Sequence, residues 1–381
     1  MSELDARPQV VKCAPDIAGY TPSSVQHYTP EAPFLLACGA VLARATVGYQ
    51  SWGNLNAAGD NAVWVCHALT GSSDVENWWP ALFGPGKALD PARDFIVCAN
   101  VLGGCYGSAG PHTHGGADFP EISVTDIVQH QHLLAQYLGV TKIKLVLGGS
   151  MGGFQALEWA LRYPNIVQRL ALIATSYRQP AQAIALSSLQ CAQIERDPKF
   201  LAGRYPRDDA PNEGLALARQ IGHLSYRCSS ELDARFDRER DENGEFQVNR
   251  YLAHQGAKLI QRFDANSYLR LNRAMNNFDA CSGRGEPRFA LGRLSIPALI
   301  VAVDSDWLYP PSEQARLAAL MPNAAHISIS SNSGHDGFLL DAAKFEPALR
   351  ALVNESISQP GGRLKHRPIT TDKQMGGCAL T

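Results

Sequence analysis

Apolar residues along this chain gather into short, β-branched runs set between turn residues. The runs are Val41–Tyr49, Asn61–Cys66, Asp94–Asn100, Ile143–Leu147, Arg169–Ala174, Pro297–Val303 and Ala325–Ser330. Runs of this kind are the mark of strands buried in a parallel sheet. Between them, Val124–Leu138, Gly153–Arg162 and Pro311–Leu320 carry helical spacing. Strand alternating with helix predicts the α/β class, with a mostly parallel sheet.

One stretch breaks the alternation. From Tyr177 to Gly292 no strand run occurs, and the periodicity is helical, as in Glu213–Tyr226 and Phe246–Phe263. That is far longer than an ordinary crossover between neighbouring strands. Residues 177–292 are therefore expected to form an inserted helical lid, dividing the core into residues 40–176 and 293–357. Residues 1–39, whose first part is rich in Pro, Ser and polar side chains, are expected to be irregular. Residues 358–381 form a polar, Gly- and Pro-containing tail expected to be mobile.

Composition narrows the class of partner. The 381 residues are 45% hydrophobic and 18% charged, as in a soluble globular protein with a sizeable core. Thirty-four Lys and Arg against 36 Asp and Glu leave a formal charge of -2, no electrostatic reason to expect nucleic acid or an anionic membrane. No apolar run is long enough to span a bilayer, and the first thirty residues hold none that would serve as a secretory signal. Nine scattered cysteines without a C-x-x-C pair argue against a disulfide framework or a zinc ribbon. A cytoplasmic enzyme is the expectation.

The chemistry is concentrated at Gly148-Gly149-Ser150-Met151-Gly152, where a strand pattern runs into a helix pattern. This is G-x-S-x-G in strand–turn–helix context, the setting of an exposed serine nucleophile. The Met151 N–H, at the start of the helix, is placed to bind a developing oxyanion. The second oxyanion donor is expected in the loop leaving an early strand, Cys66-His67-Ala68-Leu69-Thr70-Gly71-Ser72, and is assigned to the Leu69 N–H. His67 reads as a packing residue beneath the site. The general base is expected after the nucleophile: His335, in the loop Asn332-Ser-Gly-His-Asp-Gly337. Its orienting acid is Asp306 or Asp304, both just past the Pro297–Val303 strand, with Asp306 favoured because it lies further beyond the strand end. His112, His114, His130 and His132 lack a third ligand at metal-site spacing, so no metal is expected.

The sequence resembles the homoserine O-acetyltransferase family of α/β-hydrolase-fold acyltransferases from about Tyr49 to Leu352. The shared markers include Cys66-His-Ala-Leu-Thr-Gly71, Trp78-Trp79, Asn100-Val-Leu-Gly-Gly-Cys-Tyr-Gly-Ser-Ala-Gly-Pro111, and Gly148-Gly-Ser-Met-Gly-Gly-Phe-Gln-Ala-Leu-Glu-Trp159. Gly84-Pro-Gly-Lys-Ala88, Asp197-Pro198, Ala218-Arg-Gln-Ile-Gly222, Ser305-Asp-Trp-Leu-Tyr-Pro310 and Gly334-His-Asp-Gly-Phe338 complete the set. The resemblance implies an α/β-hydrolase fold, a Ser150–Asp306–His335 triad, and substrate contacts from Arg219 and Asp336. Without the resemblance, Arg219 reads as half of an ion pair on a helix surface. The resemblance also implies acyl-CoA as co-substrate rather than a bound cofactor, a small hydroxy amino acid as acceptor, and a homodimer. Relatives in this superfamily use acetyl- or succinyl-CoA, with homoserine, serine or a hydroxymethyl cephem as acceptor. Two departures stand out: the loop Pro111–Phe119 is shorter than the family's usual one, and Phe200 replaces a Trp. The rival readings are an esterase or thioesterase with the same triad, and a catalytically inert binding protein on this fold.

Overall fold

The computed structural model describes residues 10–11 and 24–354. The expected tail, 358–381, lies outside the described residues, as does most of the segment before residue 24. Eight strands form one sheet: β1 (Gln26–Tyr28), β2 (Val47–Trp52), β3 (Ala62–Cys66), β4 (Phe95–Ala99), β5 (Ile143–Gly149), β6 (Leu170–Ile173), β7 (Ala298–Val303) and β8 (Ala324–Ile329). Their spatial order is β8-β7-β6-β5-β3-β4-β2-β1. All neighbours are parallel except at one edge, where β2 lies antiparallel to both β4 and β1.

The unbroken apolar runs follow from burial on both faces. Along β3, Ala62, Trp64 and Cys66 enter one core cluster, and Val63 and Val65 enter the other. The first core is closed by α1 (Val124–Tyr137) and α2 (Met151–Arg162). Ser123 and Asp126 form a reciprocal capping box that starts α1, satisfying two otherwise unpaired amides. A buried Gln131 accepts from the indoles of Trp64 and Trp159, then donates to Gln155, which in turn donates to the His67 carbonyl at 3.0 Å. The end of β3 is thereby tied to the helix that follows the nucleophile.

Two sequence expectations need correction. The run Val41–Tyr49 is not one strand: Val41–Leu42 pairs with Phe34–Leu35 in a small separate sheet, and β2 begins at Val47. In the gap, the carbonyls of Arg44 and Ala45 are bound by His114 at 2.7 Å and His130 at 2.8 Å instead of by a neighbouring strand. Nor is the segment 1–39 irregular throughout, since β1 closes the sheet edge, with Gln26 opposite Tyr49 and Tyr28 opposite Val47. Three residues are too few to show an alternating pattern in the sequence.

Between β6 and β7 the chain is helical, with α3 (Ala181–Arg196), α4 (Asn212–Tyr226), α5 (Ser229–Phe236), α6 (Gln247–Ile260) and α7 (Ala265–Asn276). Residues of α3, α4 and α7 share one cavity with residues at the carboxyl ends of the parallel strands, where open α/β sheets place their ligands. Among the described residues, no helix is long and apolar enough to cross a membrane.

Candidate active site

Ser150 occupies the turn between β5 and α2 with φ 56° and ψ -124°. A backbone in that region costs a residue with a side chain on the order of 1–3 kcal/mol and persists only where its surroundings enforce it. Here they do: the Ser150 N–H donates to Ile173 at 3.0 Å, and the Thr175 hydroxyl donates to the Ser150 carbonyl at 2.9 Å. Glycines make the tight turn possible. A Cβ on Gly148 would strike the carbonyl of Gly152, and one on Gly152 would strike the carbonyl of Cys66.

His335 lies in a short helical turn after β8. Its Nδ1 is 2.7 Å from Asp306 Oδ2, and both side chains are almost wholly withdrawn from solvent, at 3% and 0% exposure. The other oxygen, Oδ1, accepts the Leu308 and Tyr309 amides at 2.9 Å each. Asp304 faces elsewhere and accepts the Ser331 amide at 2.8 Å. A carboxylate can only accept, so the proton of a neutral His335 sits on Nδ1, leaving Nε2 as the basic nitrogen. That Nε2 is buried without a hydrogen-bond partner among the described residues. Burial pushes the imidazole toward its neutral form, but the charge and hydrogen bond of Asp306, with Asp336 adding, raise its pKa above the ordinary 6.5.

Ser150 and His335 line one cavity of about 510 Å³. Leu69 lines it too, in the loop after β3. Met151 opens α2, so its amide is one of the four with no acceptor within the helix. His67 lies beneath this loop as a neutral, satisfied residue. Its Nδ1 donates to Ala68 at 2.9 Å, its Nε2 accepts from Val101 at 3.1 Å, and burial pushes its pKa down to about 4.

The cavity also holds charge of both signs. Arg219, from α4, lies over the Tyr226 ring at 5.6 Å and makes no ion pair among the described residues. The surface ion pair that a helical arginine suggests is therefore not how this one is used. Asp336 lines the cavity beside His335 and is paired on its far side with Arg227 at 3.1 Å.

Comparison with known proteins bears on what this arrangement belongs to. A family model for the alpha/beta hydrolase fold matches residues 61–342. The homoserine O-acetyltransferase of Nostoc punctiforme is 48% identical over 346 residues, covering 88% of this chain and 95% of that protein. That of Corynebacterium diphtheriae is 43% identical, covering 85% and 92%. The chain belongs to the homoserine O-acetyltransferase family. Solved structures agree on the fold. Homoserine O-acetyltransferase from Bacillus anthracis superposes with a TM-score of 0.82 at 22% identity, covering 88% of this chain and 98% of that one. Esterase E22 superposes with 0.80 at 23%, covering 87% and 99%.

The two places where a departure from the family is expected, loop 111–118 and Phe200, do not line the cavity that holds Ser150. Several residues of the loop line a second cavity of about 460 Å³ together with residues of the helical segment between β6 and β7, and Asp118 forms an ion pair with Arg204 of that segment at 2.5 Å. Phe200 packs against Tyr205, ring centres 6.2 Å apart. Of the four paired histidines, His114 and His130 are engaged by backbone carbonyls, and His132 stacks on Tyr163 at 4.0 Å.

Arg262 is a cavity residue that sequence reasoning missed. It donates to the Thr70 carbonyl at 2.8 Å and to the Tyr106 hydroxyl, bracing the loop that carries Leu69. Thr70 needs such bracing because its φ is 60°. An arginine just past a helix carries no sequence signal of such a role.

Proposed function

We propose that this protein transfers an acetyl group from acetyl-CoA to the hydroxyl of L-homoserine through an acyl-serine intermediate. The observation that carries the reading is a buried Asp306–His335 pair and a strained Ser150 opening onto one cavity that also holds a carboxylate and a guanidinium without an ion pair among the described residues. An amino-acid acceptor is a zwitterion and needs both. Arg219 offers its carboxylate a planar fork. Asp336 offers its ammonium group an anion.

His335, oriented by Asp306, takes the Ser150 proton as the oxygen attacks the thioester carbonyl. The Leu69 and Met151 amides stabilise the tetrahedral oxyanion, and the bond to sulfur breaks as His335 passes the proton to the departing CoA thiolate, which leaves the histidine neutral again. Homoserine then enters, His335 takes its hydroxyl proton, and its oxygen attacks the acyl carbon; the bond to Ser150 breaks as His335 returns the proton to the serine oxygen. Water is the competing nucleophile, and the lid helices limit its access. No cofactor is needed beyond the acyl-CoA, which is a substrate.

Two further parts of this reading concern assembly and place. Leu189 on α3, and Leu217 and Leu224 one heptad apart on α4, are 56%, 46% and 46% exposed. An apolar surface of that kind on paired helices supports a homodimer formed through the lid. Every cysteine among the described residues is a free thiol, in keeping with a reducing cytoplasm.

The deciding experiment follows free thiol from acetyl-CoA with and without homoserine, with mass detection of the product. Fast release only with homoserine, yielding its O-acetyl ester, supports the transferase. Equal release in its absence would make the protein a hydrolase, and succinyl-CoA outcompeting acetyl-CoA would change the donor.

A further inference from the structure

The carboxylate proposed for the acceptor ammonium does not stand alone. Asp336 Oδ2 is 3.1 Å from an Arg227 terminal nitrogen, and the other terminal nitrogen of Arg227 donates to Glu231 at 3.0 Å. The Arg227 side chain is 12% exposed and Asp336 15%. Asp336 lines the cavity, whereas Arg227 does not. The guanidinium thus grips the carboxylate from behind, leaving the acceptor's side open.

Arg227 is itself held at several points. It follows α4 directly, and its carbonyl accepts the Trp307 indole N–H at 2.8 Å, one residue from Asp306. The next residue, Cys228, donates from sulfur to the Asn332 carbonyl at 2.7 Å. The lid backbone lies so close to the histidine loop that a Cβ on Gly334 would come within 2.8 Å of the Arg227 carbonyl carbon. An arginine this constrained has a fixed place relative to both Asp306 and His335.

We infer that Arg227 is a positioning residue for the acceptor: it pins one oxygen of Asp336, so that the carboxylate points its free edge into the cavity and does not turn onto Arg219. This rests on the amino-acid acceptor proposed above. The second part matters as much as the first. Arg219 and Asp336 carry opposite charges in one cavity, and if they paired with each other both halves of the zwitterion site would be lost. Engaging Asp336 elsewhere keeps the two apart.

The electrostatics run the same way. Burial pushes the Asp336 carboxyl above the usual carboxylate range, and the strongest influence against that is Arg227, followed by His335 and Arg219, with Glu231 acting in the other direction. Removing Arg227 would therefore favour the protonated acid, which cannot hold an ammonium group by charge. The deficit should deepen as pH falls, since protonation of Asp336 is then the more complete.

The test compares two acceptors, homoserine and 4-hydroxybutanoate, which is homoserine without its ammonium group. Both meet the same acyl-enzyme, so the ratio of their kcat/KM values is blind to any loss in acylation or in the amount of folded protein. In Arg227→Met the ratio should fall by about ten- to a hundredfold, the scale of a hydrogen bond between charged groups, and fall further as pH is lowered. Arg227→Lys should recover much of it. Glu231→Gln, which removes the other anion on Arg227, should leave the ratio near wild type. An unchanged ratio in Arg227→Met, or an equal loss with both acceptors at every pH, would overturn the inference and make Arg227 a strut between lid and core. If wild type itself fails to use homoserine, the proposed function fails instead.

Discussion

Replacing Asp306 by Asn tests the triad at the point where the structure makes the sharpest statement. The two amides of Leu308 and Tyr309 both donate to Oδ1, so that position must remain an acceptor. The carbonyl oxygen of the introduced carboxamide would keep it, which places the new NH2 group where Oδ2 now meets His335 Nδ1 at 2.7 Å. An NH2 group donates, so Nδ1 must accept, and the imidazole proton moves to Nε2. That is the nitrogen that has to take the serine proton. The protein should fold normally because no buried amide is orphaned, yet acylation should fall by roughly 10⁴, or about 5.5 kcal/mol in activation free energy, the loss expected for a triad histidine held in the wrong tautomer. Asp304→Asn is the matched control. Its carboxylate accepts only the Ser331 amide among the hydrogen bonds described, and a carboxamide oxygen can replace it. Rapid-mixing measurement of CoA release from acetyl-CoA without acceptor reports acylation alone, and circular dichroism checks the fold. Asp306→Asn keeping a tenth of the wild-type burst rate, or Asp304→Asn losing as much as Asp306→Asn, would refute the assignment.

Ser150→Ala should lower transfer by about a thousandfold or more, since triad members act as a unit, and a variant retaining a tenth of wild-type turnover would remove Ser150 as nucleophile. Arg219→Lys keeps the charge but loses the planar fork, so transfer to homoserine should weaken by about 1.5–3 kcal/mol while the CoA burst persists; a slowed burst would place Arg219 on the donor instead. The acylation rate should rise with pH through a single limb above 6.5, because burial is outweighed by the combined charge and hydrogen bond of Asp306 with the charge of Asp336, which leaves His335 with a raised pKa, and it works only when neutral; a limb below 6.5 would contradict that balance. Sedimentation should give a homodimer, and a species of 41.3 kDa at micromolar concentration would remove the lid surface as an interface.

Much of this protein is local enough to read in one dimension. A strand buried on both faces must be apolar throughout, so β3, β4 and β7 announce themselves as uninterrupted runs. A nucleophile at a strained elbow needs small neighbours, so Gly148 and Gly152 mark Ser150 without any knowledge of what surrounds it. His335 is legible by chain order and loop context. Spacing does not settle the choice between Asp304 and Asp306, since the two lie two residues apart on one turn. Only the packed structure shows which carboxylate meets the imidazole and which the Ser331 amide.

What tertiary structure alone decided are the contacts between segments far apart in the chain. Arg262 reaches Thr70 across 192 positions, and Arg227, inside the helical insertion, meets Asp336 in the histidine loop beyond it. Both read as ordinary basic residues near helix ends, because a guanidinium looks the same in sequence whether it faces water or a buried carboxylate. The interruption before β2 is illegible for the same reason. The histidines that bind the Arg44 and Ala45 carbonyls lie 70 and 85 residues away, and no local pattern tells a carbonyl that its partner will be a side chain. Periodicity and steric demand act on neighbours along the chain and leave their trace in sequence, whereas the choice of a charged or hydrogen-bonding partner is made only when distant segments pack together.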